Sequence, residues 1–217
     1  MAAEALHIRA DTQTRALCVL VHGRGQSPEE MQSHIVERLD VPDVTFVLPR
    51  AESGVWYEVK AVDPLTDDGR AALEASLKQL AADIAETRAT YGEDLPLVLA
   101  GFSQGACLSL EYAFSGRRAP EALVAFTGCR VGVRSDDRPH ALADGLPVYL
   151  TGSDADLWIP TTAFCEAALE LGEGRARLRT DVLPGRAHEV ADAEIAMLQS
   201  ILTDLAAGKP VTMGAGR

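Results

Sequence analysis

The sequence is short of cysteine, of aromatic residues and of positive charge, and it has no long apolar run. Its four cysteines, Cys18, Cys107, Cys129 and Cys165, stand far apart with no Cys-x-x-Cys pair. That spacing argues against a zinc site, and each cysteine lies in an apolar stretch that predicts a small buried hydrophobe. Nothing in them requires an oxidising compartment. Met1 to Ala10 carries Glu4, His7 and Arg9 and lacks the continuous apolar segment of a signal peptide. No apolar run is long enough to span a bilayer. The expectation is a cytoplasmic protein without stable membrane insertion. Lys and Arg total 20 against 32 Asp and Glu, a net charge of -12. Such a surface repels phosphate backbones, which disfavours nucleic-acid partners, and solubility is the ordinary reason for it.

What is present is an alternation of short apolar runs with longer helical patterns. Over 217 residues, 47% of them hydrophobic, this predicts one α/β domain with a mostly parallel sheet and helices on both faces. Ala16–Val21 is apolar without alternation, as a strand covered on both faces should be. Ser27, Pro28 and Glu30 supply the cap, first turn and capping-box positions of a helix from Pro28 to Leu39. Val44–Leu48 reads as a strand and Ala51–Thr66 as an irregular segment. Leu73, Leu77, Leu80 and Ile84 recur at helical spacing and predict a helix over Asp67–Tyr91. Further strands are expected at Leu95–Ala100, Leu123–Phe126, Val148–Thr151 and Ala176–Val182, with an edge strand at His7–Ala10. Further helices are expected at Gln104–Phe114, Pro160–Leu171 and Ala191–Ala206. No repeat or linker divides residues 1–217, no separate cap domain fits the length, and 209–217 reads as a flexible tail.

The strand ending at Ala100 runs straight into Gly101-Phe102-Ser103-Gln104-Gly105, and a helix follows. Strand, tight turn and helix around Gly-x-Ser-x-Gly are the context in which such a serine is a nucleophile. Side chains two before and two after the serine would collide with neighbouring chain, so both positions are glycine. The turn lifts the Ser103 hydroxyl above the sheet and aims the Gln104 amide at the oxygen of a bound acyl group. A plain N-cap role for Ser103 would not call for both glycines.

A serine hydroxyl needs a base. His140 and His188 are the two histidines that follow Ser103. His188 lies in the loop after the strand Ala176–Val182, at the carboxyl end where Ser103 emerges, whereas His140 precedes a strand. His188 is therefore the candidate base. The acid belongs between serine and histidine, and Gly152-Ser153-Asp154-Ala155-Asp156 offers Asp154 and Asp156. A second oxyanion donor is expected from His22-Gly23-Arg24-Gly25-Gln26. Glycines on both sides favour the Arg24 amide, with Gly23 its neighbour as alternative. His22 reads as a structural hydrogen-bonder.

Val21-His22-Gly23-Arg24-Gly25, Trp56-Tyr57, Gly101-Phe102-Ser103-Gln104-Gly105-Ala106, Asp156-Leu157-Trp158-Ile159-Pro160 and Pro184-Gly185-Arg186-Ala187-His188-Glu189-Val190 together resemble the phospholipase/carboxylesterase family of α/β-hydrolases. The resemblance runs in order from about Ala16 to Ala206 and sits nearer the bacterial esterases than the eukaryotic acyl-protein thioesterases. It implies an α/β-hydrolase fold and a Ser103, Asp156 and His188 triad, the acid being the aspartate four residues before the proline. It also implies oxyanion donation by the Arg24 and Gln104 amides, no metal and no organic cofactor. A homodimer is an assembly it allows. Gly23, Trp56, Tyr57 and Trp158 are the substrate-binding candidates, with plain core packing as the alternative for Trp56 and Tyr57. The implied activity is hydrolysis of carboxylic esters with small or medium acyl chains. Thioesters, lysophospholipids or aromatic esters are alternative substrates, and a non-catalytic binding protein is the alternative of another kind. Two departures stand out: Thr151-Gly152 where the family often has His-Gly, and Ala106 where it often has glycine.

Overall fold

The computed structural model describes residues 4–214. All of its strands lie in one sheet: β1 (Leu6–Ile8), β2 (Ala16–Val21), β3 (Val44–Leu48), β4 (Leu97–Phe102), β5 (Ala122–Phe126), β6 (Pro147–Gly152) and β7 (Arg177–Val182). Their order is β1-β3-β2-β4-β5-β6-β7, and the β1–β3 pair alone is antiparallel. Every residue of β2, β4 and β5 is buried. Their side chains feed two cores in turn. Leu17, Val19, Val21, Leu97 and Leu99 join α2 (Asp67–Tyr91), α3 (Gln104–Phe114) and α4 (Thr161–Glu173) on one face. Cys18, Leu20, Val98, Ala100 and Phe102 join α1 (Pro28–His34) and α5 (Asp192–Ala206) on the other. Burial on both faces is why these strands carry no polar alternation. None of the described helices is long and apolar enough to cross a membrane.

The differences from expectation are local. Ser27 caps α1 as expected, with its side chain accepting from the Glu30 amide, but the helix stops at His34. Ile35 leaves helical geometry and Val36–Arg38 form a single 3-10 turn, with Ile35 and Val36 both buried in the second core. Strand β4 lies two residues later than expected and reaches the residue before Ser103. Cys165 is exposed on α4, unlike the buried Cys18, Cys107 and Cys129. Part of the tail lies against β7. Val211 is buried and its carbonyl accepts from Arg177, while Arg179 donates to the carbonyls of Met213 and Gly214. Both arginines lie on β7, a sheet edge with donors to spare. Residues 215–217 lie outside the described part.

Candidate active site

The turn between β4 and α3 is strained at Ser103, which has φ 55° and ψ -120°. A Cβ on Gly101 would stand 2.4 Å from the Gly105 carbonyl oxygen, and one on Gly105 would stand 2.1 Å from the Val21 oxygen. Those distances allow no side chain, so the two glycines are steric requirements of the elbow. The Ser103 amide donates to the Phe126 carbonyl at the end of β5 (3.0 Å), which pins the turn to the neighbouring strand. The hydroxyl makes no cap bond to α3. It lies 2.8 Å from His188 Nε2 instead.

His188 Nδ1 lies 2.7 Å from Asp156 Oδ2. The other oxygen, Oδ1, accepts from the amides of Trp158 (2.8 Å) and Ile159 (2.9 Å). The Asp156 side chain has no exposed surface, while that of His188 is 22% exposed. Burial opposes ionisation of Asp156. The hydrogen bonds from the Ile159 amide, the imidazole and the Trp158 amide outweigh it and hold the carboxyl below its usual range. Asp154, the other acid candidate, points elsewhere and accepts from the Gly185 amide (2.6 Å). His140 faces Glu170 at 3.9 Å.

The loop after β2 is built around His22. The Ala51 amide donates to His22 Nε2 (3.1 Å), so the ring proton sits on Nδ1 and is donated to the Gly23 carbonyl (2.8 Å). Burial lowers the pKa of this ring, and it tilts against Trp56 with centroids 4.9 Å apart. The Gly23 amide is taken by the Gln26 side chain (3.1 Å). Among the described residues the amides of Arg24 and Gln104 have no backbone acceptor, whereas that of Gly23 is occupied. A Cβ on Gly23 would come within 3.2 Å of Ser103 Cβ, so this glycine keeps the approach to the serine clear.

A cavity of about 450 Å³ opens over the serine, lined by Ser103, His188, Arg24, Gln104, Tyr57 and Trp158 together with Val59–Val62, Cys107 and Ile159. Trp158 is 69% exposed at its rim. Trp56 is not in the lining. It is buried, and its indole N–H donates to the His22 carbonyl (2.9 Å), so core packing is its role. A second cavity of about 470 Å³ also touches His188, between Phe102, Met31 and Val190. Sequence reasoning missed two side chains that hold the segment after Val55 in place. Gln104 accepts from the Trp56 amide (3.1 Å) and donates to the Tyr57 carbonyl (2.7 Å). The Arg24 guanidinium donates to the Tyr57, Glu58 and Val59 carbonyls. Their motif positions marked backbone roles, and nothing in the pattern marked the side chains.

The phospholipase/carboxylesterase family model matches residues 6–206. The chain belongs to the phospholipase/carboxylesterase family. Its fold is the α/β-hydrolase fold of that family, one mostly parallel sheet with no separate cap among the described residues. A phospholipase/carboxylesterase from Dyadobacter fermentans is 25% identical and superimposes with a TM-score of 0.79 over 92% of this chain and 96% of its own. The Bacillus cereus carboxylesterase, 16% identical, shares the fold with a TM-score of 0.74 over 93% of each chain. Acyl-protein thioesterase 1 homolog 2 of Dictyostelium discoideum is 25% identical over 137 residues, 57% of this chain. The match spans 62% of that relative's length.

Proposed function

We propose that this chain is a serine hydrolase that cleaves carboxylic esters of small or medium acyl chains. The observation that carries the reading is the hydrogen-bonded line Ser103 Oγ, His188 and Asp156 beside two amides without backbone acceptors. Ser103 Oγ attacks the ester carbonyl carbon as its proton passes to His188 Nε2. The carbonyl oxygen becomes an oxyanion that accepts from the Arg24 and Gln104 amides. As the tetrahedral centre collapses, the bond to the alcohol oxygen breaks and His188 donates the proton to that oxygen. Water then repeats the sequence on the acyl-serine and releases the carboxylic acid. Asp156, already bonded by two amides, holds the Nδ1 proton and balances the imidazolium. The cavity over Ser103 suits the acyl chain, with Tyr57 and Trp158 as walls.

The test is hydrolysis of p-nitrophenyl acetate and butyrate by wild type and Ser103→Ala. The variant is expected to lose about 10⁴-fold or more of kcat while remaining folded. Equal rates in the two proteins would overturn the reading. Thioesters are the second reading, favoured by the thioesterase relative and by a mechanism that needs no different group. Matched oxygen and sulfur esters of graded chain length separate the two. A fluorophosphonate probe that labels wild type but not Ser103→Ala disposes of a non-catalytic role.

A further inference from the structure

We propose that Arg186 and Glu194 are positioning residues: a buried clamp that fixes the backbone of His188 and so sets the imidazole between Asp156 and Ser103. The inference rests on the reading of His188 as the base. Arg186 comes two residues before His188, yet its side chain is only 5% exposed. One guanidinium nitrogen, Nη1, donates to the carbonyl of Ala187 (3.0 Å) and to that of Glu189, the residues on either side of His188. Nη2 donates to Thr127 Oγ1 (2.7 Å). Nε faces Glu194 Oε2 at 3.5 Å, a charge contact without hydrogen-bond alignment.

Glu194, wholly buried in the first turn of α5, closes the circuit. Its Oε2 accepts from the Ala191 amide (2.7 Å) and its Oε1 from the Thr151 hydroxyl (2.5 Å). Thr151 Oγ1 in turn accepts from the Thr127 amide (3.1 Å). Thr127 has φ 55°, an uncommon conformation for a residue with a branched side chain, and it directly follows Phe126, whose carbonyl holds the Ser103 amide. The Arg186 carbonyl accepts from Ser153 Oγ (2.6 Å) in the loop that carries Asp156. The circuit therefore joins the ends of β5, β6 and β7 to the start of α5, the same strand ends that present the acid and the base. Thr151 stands where the family often has histidine, so this chain builds the junction from a hydroxyl. A planar guanidinium reaches two carbonyls and a hydroxyl at once. An ammonium is a compact charge on a flexible stem and does not fix those three directions.

The experiment uses the full chain with Arg186→Lys and Thr127→Val. The first keeps the charge, and the second keeps the shape while removing one acceptor. Kinetics on p-nitrophenyl butyrate, the downfield proton signal of His188 Nδ1–H and the unfolding midpoint are measured together. Small displacements of a reacting group cost about 10²-fold, so kcat is expected to fall roughly 10- to 100-fold in Arg186→Lys, and less in Thr127→Val. KM should stay within about threefold, because neither residue lines the cavity over Ser103. The downfield signal is expected to broaden or move in the folded variants. Unchanged kcat and an unchanged signal, with only the midpoint lowered, would overturn the clamp and leave a structural ion pair. Failure of wild type to hydrolyse esters or take up a fluorophosphonate would instead overturn the hydrolase reading, and the proton signal would still decide whether the clamp holds His188.

Discussion

At the scale of single residues, the proposed mechanism depends on one proton being on the correct nitrogen. Asp156 takes Nδ1–H at 2.7 Å, which leaves Nε2 free to accept from the serine. Asp156→Asn replaces an acceptor by an amide that can donate, and the ring then turns its lone pair the wrong way. Ester hydrolysis is expected to fall about 10⁴-fold with a stopped assay on p-nitrophenyl butyrate, while circular dichroism stays native. The same carboxylate has a pH signature. Its pKa in the fold lies below the ordinary value of about 3.9, so its contribution to stability is complete above about pH 4 and is lost as pH falls through the lower folded value. Ser103 and His188 stand out in the sequence as candidates because each lies in a motif at a strand end, whereas Asp156 is set apart from Asp154 only by the family resemblance. Trp56 was misleading: beside Tyr57 it looked like a pocket wall, and only the structure shows its indole turned to the His22 carbonyl. Arg186 and Thr127 were not legible at all, since a buried arginine and a strained threonine acquire meaning only from contacts between distant loops.

Among the elements, helix α2 was read end to end from its apolar spacing, while α1 was read too long. The difference is physical. Along α2 the apolar residues keep to one face, so helix and burial agree. After His34 the backbone leaves helical geometry at Ile35, yet burial of Ile35 and Val36 in one core is a pattern that a continuous helix would also give, so nothing in the apolar spacing marked the break. Helix α2 also carries a cost that sequence did not show. Asp83 has a buried carboxylate oxygen without a partner. Burial, then the charge of Glu86, pushes its pKa up to about 6. A raised carboxylate pKa means the ionised form is disfavoured in the fold, so the cost is fully present above about pH 6. It disappears as pH falls toward about 4, where the unfolded chain also takes up the proton. Asp83→Asn is expected to stabilise the protein by about 1 kcal/mol at pH 7.5 after allowance for partial exposure, with little gain at pH 4. Urea unfolding at the two pH values measures the difference.

For the molecule as a whole, the alternation of apolar runs and helices was enough to give the class of fold. The order of strands followed from no local pattern, because parallel neighbours meet only through crossovers. The contacts of the tail were not visible in the sequence for a similar reason: Lys209 onward is polar and lacks periodicity, but β7 offers Arg177 and Arg179 as donors to the carbonyls of Val211, Met213 and Gly214. Removing residues 209–217 is expected to cost about 1 to 3 kcal/mol through the lost burial of Val211 and those bonds, lowering the thermal midpoint by several degrees. Differential scanning calorimetry measures it, and kcat should hardly change, since the tail lies outside both cavities. The hydrogen-bonded line of Ser103, His188 and Asp156 is assembled from the ends of β4, β6 and β7, with His188 separated from Ser103 by 85 positions. That gives the protein a history as well as a shape. During synthesis the strained serine turn leaves the ribosome first, and its base follows only after the last strand. On the proposed mechanism the nascent chain therefore carries an inert hydroxyl until β7 has joined the sheet.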